Sequence, residues 1–98
     1  MVEKFALLVI LQSRPGKESE VEAFLKSAQA LAEAETRTLS WYAFRIGFGR
    51  FGIFDTFPDE AGREMHLNGE IAKALFARAE ELFSAPPQIE KPVILASK

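Results

Sequence analysis

Proton-transfer chemistry in this chain points first to its single histidine, His66. Imidazole is the side chain whose ordinary pKa lies nearest to neutral pH, so His66 is the natural candidate for a general base. It stands between Met65 and Leu67 in a short predicted helix, where it can either face a pocket or point to solvent. One histidine without clustered partners is a poor metal site, so we predict no metal there.

A second candidate is the pair Tyr42 and Asp55, which the predicted hairpin register places opposite each other. A carboxylate among aromatic side chains is costly to bury unless it is hydrogen-bonded. Either Tyr42 satisfies Asp55 as a structural pair, or Asp55 is a base whose pKa is raised by burial. The structural pair is the commoner arrangement, and both residues are also candidates to support His66 in catalysis.

Binding chemistry is suggested by the stretch from Trp41 to Phe57, which holds seven of the eleven aromatic residues. This segment predicts either the central hairpin of a core or an aromatic wall of a cavity for a flat organic ligand. Arg45 could hold an anionic ligand, or lay its stem over the aromatics with its head at the sheet edge. Asn68 could be a substrate donor or, more commonly, a helix cap. The predicted substrate-binding side chains are Trp41, Phe44, Arg45, Phe54, Phe57, Asn68 and Phe76.

The helices and strands that must position these residues are predicted from hydrophobic periodicity and from the Gly and Pro residues that interrupt it. The pattern predicts strands over residues 4–12, 39–47, 50–57 and 88–96, and helices over residues 18–35, 59–67 and 69–83. Asp59 is the predicted N-cap of the second helix and Asn68 that of the third.

Both faces of the first strand and of the hairpin are apolar, which is typical of strands that are covered on both sides. With Phe48 and Gly49 as the hairpin loop, Ile46 lies opposite Phe51 and Tyr42 opposite Asp55. A shift of one residue would exchange the two faces. The element order predicts an α+β, ferredoxin-like βαββαβ fold with a four-stranded antiparallel sheet. A second copy of the chain is the natural cover for the helix-free face, which predicts a homodimer with a barrel-like interior.

Composition narrows the remaining classes of function. Ninety-eight residues predict a single domain over residues 1–98. A net charge of −2 without a basic stripe argues against nucleic acid as a partner. The absence of cysteine excludes disulfides and thiol catalysis. The apolar run Phe5 to Leu11 is too short for a membrane span, so we expect a cytoplasmic protein without a membrane partner.

Four segments of the chain carry a family resemblance. They are the apolar first strand with its Arg14-Pro15-Gly16-Lys17-Glu18 turn, Phe51-Gly52-Ile53-Phe54-Asp55-Thr56-Phe57, Pro58-Asp59-Glu60-Ala61 and Met65-His66-Leu67. Through them, and over nearly its whole length, the chain resembles the antibiotic biosynthesis monooxygenase family of dimeric α/β-barrel proteins. These segments stand in the family's order and spacing, although none is a catalytic signature by itself.

The resemblance implies a homodimer with one pocket per subunit between sheet and helices. It also implies a quinol-monooxygenase-like activity, in which O₂ oxygenates a quinol-, anthrone- or polyphenol-like substrate without flavin, haem or metal. His66 is then the first-choice base, with Tyr42 and Asp55 in support. The haem-degrading relatives use an Asn on the first strand and a Trp where this chain has Phe57, so haem degradation is not predicted.

A different class of function fits the same fold: a dimeric module that binds a ligand without turning it over, or one with no ligand. Convergence of His66, Tyr42 and Asp55 on one closed cavity would favour the enzyme. A solvent-facing His66, with Asp55 bonded to the backbone, would favour the binding or structural module.

Overall fold

A computed structural model, which describes residues 2–98, contains one antiparallel sheet with the strand order β2-β3-β1-β4. The strands are β1 (Phe5–Gln12), β2 (Ser40–Gly47), β3 (Arg50–Phe57) and β4 (Gln88–Glu90). The helices are α1 (Glu18–Glu33), α2 (Glu60–Leu67), α3 (Glu70–Ala77) and α4 (Ala79–Leu82). The predicted ferredoxin-like βαββαβ fold is confirmed. Within residues 2–98, no helix has the length and apolar character needed to cross a membrane.

The hairpin register differs from the prediction by one residue. Trp41, not Tyr42, lies opposite Asp55, and Arg45 lies opposite Phe51. The predicted Phe48-Gly49 loop is present, with Gly49 at a φ of 73°, but the ladder shifts between Arg45 and Gly47. Because Ile46 is an extra residue at this bulge, every earlier side chain of β2 faces the opposite side of the sheet from the one predicted.

The helix-side face of the sheet forms the core. Buried side chains from alternate positions of β1 and β3 pack there against side chains from α1, α3 and the end of α4. Together these buried residues are Val9, Leu11, Val21, Phe24, Leu25, Phe51, Ile53, Leu75, Leu82 and Phe83. Trp41 of β2 packs partly against this cluster and partly against Ala28, Ala32 and Ile71. The indole therefore closes the core beside the edge strand.

The helix-free face is the second apolar surface. Tyr42, Phe44 and Ile46 are 60%, 37% and 46% exposed there. Phe44 lies opposite Gly52, and its ring comes within 2.5 Å of the place that a Cβ on Gly52 would occupy. A glycine at that position therefore lets an aromatic ring lie flat on the sheet.

Three elements differ from those predicted by more than a single residue at one end. α1 ends at Glu33, two residues early, and the predicted third helix is divided at Arg78 into α3 and α4. β4 stops at Glu90 and resumes only as a bridge between Val93 and Phe5, because Pro92 cannot donate to the ladder. At this interruption Ala6 still donates its N–H to the Pro92 carbonyl at 3.0 Å. The buried Arg63 donates Nη1 to the carbonyls of Ala6 and Pro92, at 3.1 and 3.2 Å.

Candidate active site

His66 lies between two carboxylates from distant parts of the chain. Its Nε2 is 2.8 Å from Oδ2 of Asp55, and its Nδ1 is 2.6 Å from Oε1 of Glu35. The His66 side chain is 8% exposed, Asp55 is 1% exposed and Glu35 is 23% exposed. The three groups form a chain, referred to below as the carboxylate–imidazole chain, whose inner end is Asp55 and whose outer end is Glu35.

Local structure explains how the three side chains meet. Asp55 occupies a helix-side position of β3, between Ile53 and Phe57. α2 begins at its N-cap Asp59, which accepts the Gly62 N–H at 2.8 Å, as predicted, and places His66 in its last turn. Cationic imidazolium suits the C-terminal end of a helix dipole.

The outer carboxylate is held by the segment that follows α1. Oε1 of Glu35 accepts the Thr38 hydroxyl at 2.7 Å in addition to its contact with His66. Arg37 of the same segment pairs with Asp59, the N-cap of α2. The end of α1 is therefore tied to both ends of α2, which fixes Glu35 against the imidazole.

Burial and charge act on both inner groups. Burial raises the pKa of Asp55 above its ordinary value, and the nearby His66 only partly opposes that effect. Burial lowers the pKa of His66, but hydrogen bonds and charge from Asp55 and Glu35 outweigh it, and the net direction is upward. The site therefore favours the protonated form of the imidazole, and Asp55 is a stronger base than an exposed aspartate.

One open cavity lies at the outer end of this arrangement, and a second lies beside Trp41, the strand neighbour of Asp55. His66 and Glu35 line one of about 390 Å³, between the end of α1 and helices α2 and α3. Trp41 and Arg45 line another of about 490 Å³, between α1 and the edge strand β2, referred to below as the edge groove. Both volumes are in the range that suits a small organic molecule.

The structure brings His66 and Asp55 together but not Tyr42. The predicted pairing of Tyr42 with Asp55 is wrong, because the bulge turns Tyr42 to the helix-free face. Asp55 instead meets His66 beside the buried ring of Phe57, whose centroid is 5.4 Å from that of the imidazole. Of the predicted aromatic residues, Phe57 is the one that touches the histidine side of the site.

Of the other predicted binding residues, Trp41, Phe44 and Arg45 line the edge groove together, and the rest are dispersed. Phe44 and Phe54 lie on the helix-free face, and the exposed Arg45 pairs with Glu22 of α1 at 3.2 Å. Asn68 does not cap the third helix as predicted, because Gly69 is the N-cap there. It follows α2 as its C-cap and donates Nδ2 to the Glu64 carbonyl at 2.8 Å. Phe76 lines a separate cavity beside α4.

Glu35 is the member of the site that sequence reasoning missed. A signal was available, because an acidic residue close to the C-terminal end of a helix is opposed by the helix dipole. Such a position indicates a specific partner elsewhere, which is here His66. Across residues 2–98 no three His, Asp or Glu side chains are grouped so as to hold a metal ion.

Comparisons with known proteins agree with this fold. The chain is 52% identical to NE2512 of Nitrosomonas europaea, a protein of unknown function. That match covers 99% of this chain and 94% of the other, with a TM-score of 0.97. PA3566 of Pseudomonas aeruginosa is 24% identical over 98% of both chains, with a TM-score of 0.81.

A third similar structure is provisionally described as an antibiotic biosynthesis monooxygenase from Caulobacter crescentus. It is 18% identical, with 96% of this chain and 92% of that chain covered and a TM-score of 0.82. At this identity the likeness shows the fold. No protein-family model matches the chain, and the comparison with curated proteins finds no match.

Proposed function

Because the chain belongs to the same family as NE2512 and has the fold of the antibiotic biosynthesis monooxygenases, we propose that it is a cofactor-independent oxygenase of a small aromatic hydroxyl compound. The observation that supports this proposal is the carboxylate–imidazole chain, which places buried titratable groups beside a cavity of ligand size. Buried titratable groups with shifted pKa values beside a cavity are typical of catalytic sites.

The proposed chemistry begins with removal of a proton from the substrate. With His66 protonated, the two carboxylates and the imidazolium carry a net charge of −1. Uptake of the substrate proton brings that charge to zero, so the site no longer repels the electron-rich anion that forms. Burial then keeps water away from the anion while it reacts.

The oxygenation step requires no external reductant. For an anthrone-like substrate, the ionised ring passes electrons to O₂, and a ring CH₂ group becomes a carbonyl. The substrate loses four electrons and O₂ gains four, with one oxygen atom entering the product and the other leaving as water. The protein therefore has to bind the ring, accept a proton and exclude solvent.

In this proposal His66 is not the base that accepts the substrate proton, although the sequence made it the first choice for that role. Both of its nitrogens already face carboxylates, and its raised pKa favours the protonated form. A carboxylate of the chain accepts the substrate proton, and His66 relays charge between Asp55 and Glu35. The expected cost of losing such a base is about 10²-fold or more in rate.

We also propose that the active form is a homodimer joined through the helix-free face. Support comes from the half-buried Leu8, Ile10 and Phe54, which share that face with the exposed Tyr42 and Phe44. A continuous apolar sheet surface of this kind is uncommon on a monomer, and sheet-on-sheet packing is the simplest way to cover it. The cavity beside His66 lies on the helix side, so this packing leaves it open. Tyr42 and Phe44 also line the edge groove, so that groove borders the proposed interface.

A binding or structural module remains the alternative, and one observation favours it. Because both nitrogens of His66 are occupied, the carboxylate–imidazole chain can act as a clamp that joins α1, α2 and β3 without any chemistry. This reading gives His66 and Asp55 a role in stability and none in turnover.

Measurement of oxygen uptake distinguishes the oxygenase from the binding or structural module. Protein treated with a chelator is given a panel of quinols and anthrones, and uncatalysed autoxidation is subtracted. We expect saturable uptake that His66→Leu lowers by about 10²-fold and that the surface variant Lys73→Gln leaves unchanged. Absence of uptake from a folded dimer across the whole panel would refute the oxygenase and favour the module.

A further inference from the structure

Two buried polar groups on neighbouring strands lack hydrogen-bond partners. Among residues 2–98, buried side-chain atoms without a hydrogen bond occur in three residues, and two of these, Trp41 and Asp55, are directly opposite each other on β2 and β3. Nε1 of Trp41 is a donor without an acceptor, and Oδ1 of Asp55 is an acceptor without a donor. The Cβ atoms of such a pair are about 5 Å apart.

Leaving these groups unpaired is expensive. A buried donor or acceptor without a partner costs about 1–3 kcal/mol, and more when it is charged. The indole N–H can only donate, and the ionised carboxylate can only accept. A group that satisfies both must therefore accept from Trp41 and donate to Asp55, and a hydroxyl group does both.

The edge groove reaches one member of this pair. Trp41 lines that cavity of about 490 Å³, whereas Asp55 lies one strand further into the sheet and is completely buried. The second oxygen of Asp55 is the one that contacts His66. A hydroxyl placed between Trp41 and Asp55 would therefore stand at the inner end of the carboxylate–imidazole chain, and solvent at the outer end near Glu35.

We propose that the edge groove takes the aromatic ring of a phenol, whose hydroxyl lies between Nε1 of Trp41 and Oδ1 of Asp55. This inference rests on the proposed function and names the site of substrate entry. The O–H bond of the phenol breaks, the proton goes to Oδ1, and the electron pair stays on the phenol oxygen, where Trp41 continues to donate to it. Trp41 is the positioning residue, and Asp55 accepts the proton.

The chain contains one tryptophan, so its indole N–H gives one resonance in a ¹H–¹⁵N correlation spectrum. Titration with 4-nitrophenol should move that resonance downfield, because a new hydrogen bond forms. The matched probe 4-nitroanisole, which lacks the hydroxyl proton, should bind less tightly by about 10-fold. If nitrophenol does not shift the resonance, a permanent water fills the space between Trp41 and Asp55, and the proposal is overturned.

Equilibrium dialysis of both probes then identifies the end of the site at which the hydroxyl binds. Trp41→Phe and Asp55→Asn should each abolish the preference for nitrophenol, while Glu35→Gln, at the outer end, should keep it. The reverse pattern would place the hydroxyl at Glu35 and contradict the proposal. Neither experiment depends on turnover, so phenol binding without oxygen uptake would reject the oxygenase and leave this binding site in place.

Discussion

The Asp55–His66 contact makes a strong prediction about stability. Its atoms are 2.8 Å apart and almost completely buried. Replacing His66 leaves Asp55 as a buried charge without a partner, and replacing Asp55 leaves the buried imidazole with Glu35 as its one remaining partner. Leucine is a suitable replacement at both positions, because it keeps side-chain volume while it removes the charge. We therefore predict that Asp55→Leu and His66→Leu are each much less stable than the double variant.

The magnitude follows from measurements on comparable buried pairs. Removing one partner of a buried ion pair costs about 3–5 kcal/mol, whereas replacing both by apolar groups is often close to neutral. A domain of this length has a total stability of about 5–15 kcal/mol, so either single variant loses a large fraction of it. The expected fall in Tm is about 12 °C or more for each single variant. The double variant should recover at least about 2 kcal/mol.

Urea unfolding followed by circular dichroism measures all four free energies, at one fixed protein concentration because a dimer gains stability with concentration. Tyr42→Phe provides the matched control. The register predicted from sequence pairs Tyr42 with Asp55, whereas the structure separates them, so Tyr42→Phe and Asp55→Leu should be additive within about 0.5 kcal/mol. Single-variant costs below about 1 kcal/mol, or coupling between Tyr42 and Asp55, would refute the reasoning.

Three further predictions concern pH, packing and assembly. Because the pKa of His66 is raised in the folded state, its stabilising contribution is complete below its ordinary value near 6.5 and lost as the pH rises through the folded value. Urea midpoints should therefore fall across that window in the native chain and change less in His66→Leu; equal slopes would contradict this assignment. Gly52→Ala should destabilise the chain by about 1–3 kcal/mol by displacing the Phe44 ring, and Phe44→Ala should remove most of that penalty. Phe54→Glu should shift the sedimentation of the proposed dimer to that of a monomer, while an unchanged coefficient would exclude the helix-free face as the interface.

Much of the fold could be predicted because it depends on local patterns. Apolar residues at strand and helix spacing, the Pro-Gly turn and the Asp59 cap each act within a few residues, and each predicted its element correctly. The errors were also local in origin. The third helix is divided at Arg78, where the sequence has no Gly or Pro that would predict a break. The last strand was predicted to continue past Pro92, but it ends at Glu90.

The site was predictable only in part. His66 and Asp55 were identified by residue type, since a single imidazole and a lone carboxylate among aromatics are conspicuous in any fold. Their direct contact was not predicted, because the expected partner of Asp55 was Tyr42. A single extra residue at Ile46 decided that question by turning Tyr42 away and placing Trp41 opposite Asp55.

The sequence by itself determined the element types, the two apolar faces of the sheet and the residues able to transfer a proton. Tertiary structure decided which of those residues meet. Glu35 reaches His66 across 31 positions of the chain, and the register of β2 depends on one bulged residue. The physical reason is that side-chain periodicity specifies a face only when the register is known, and contacts between distant segments depend on packing that no local pattern encodes.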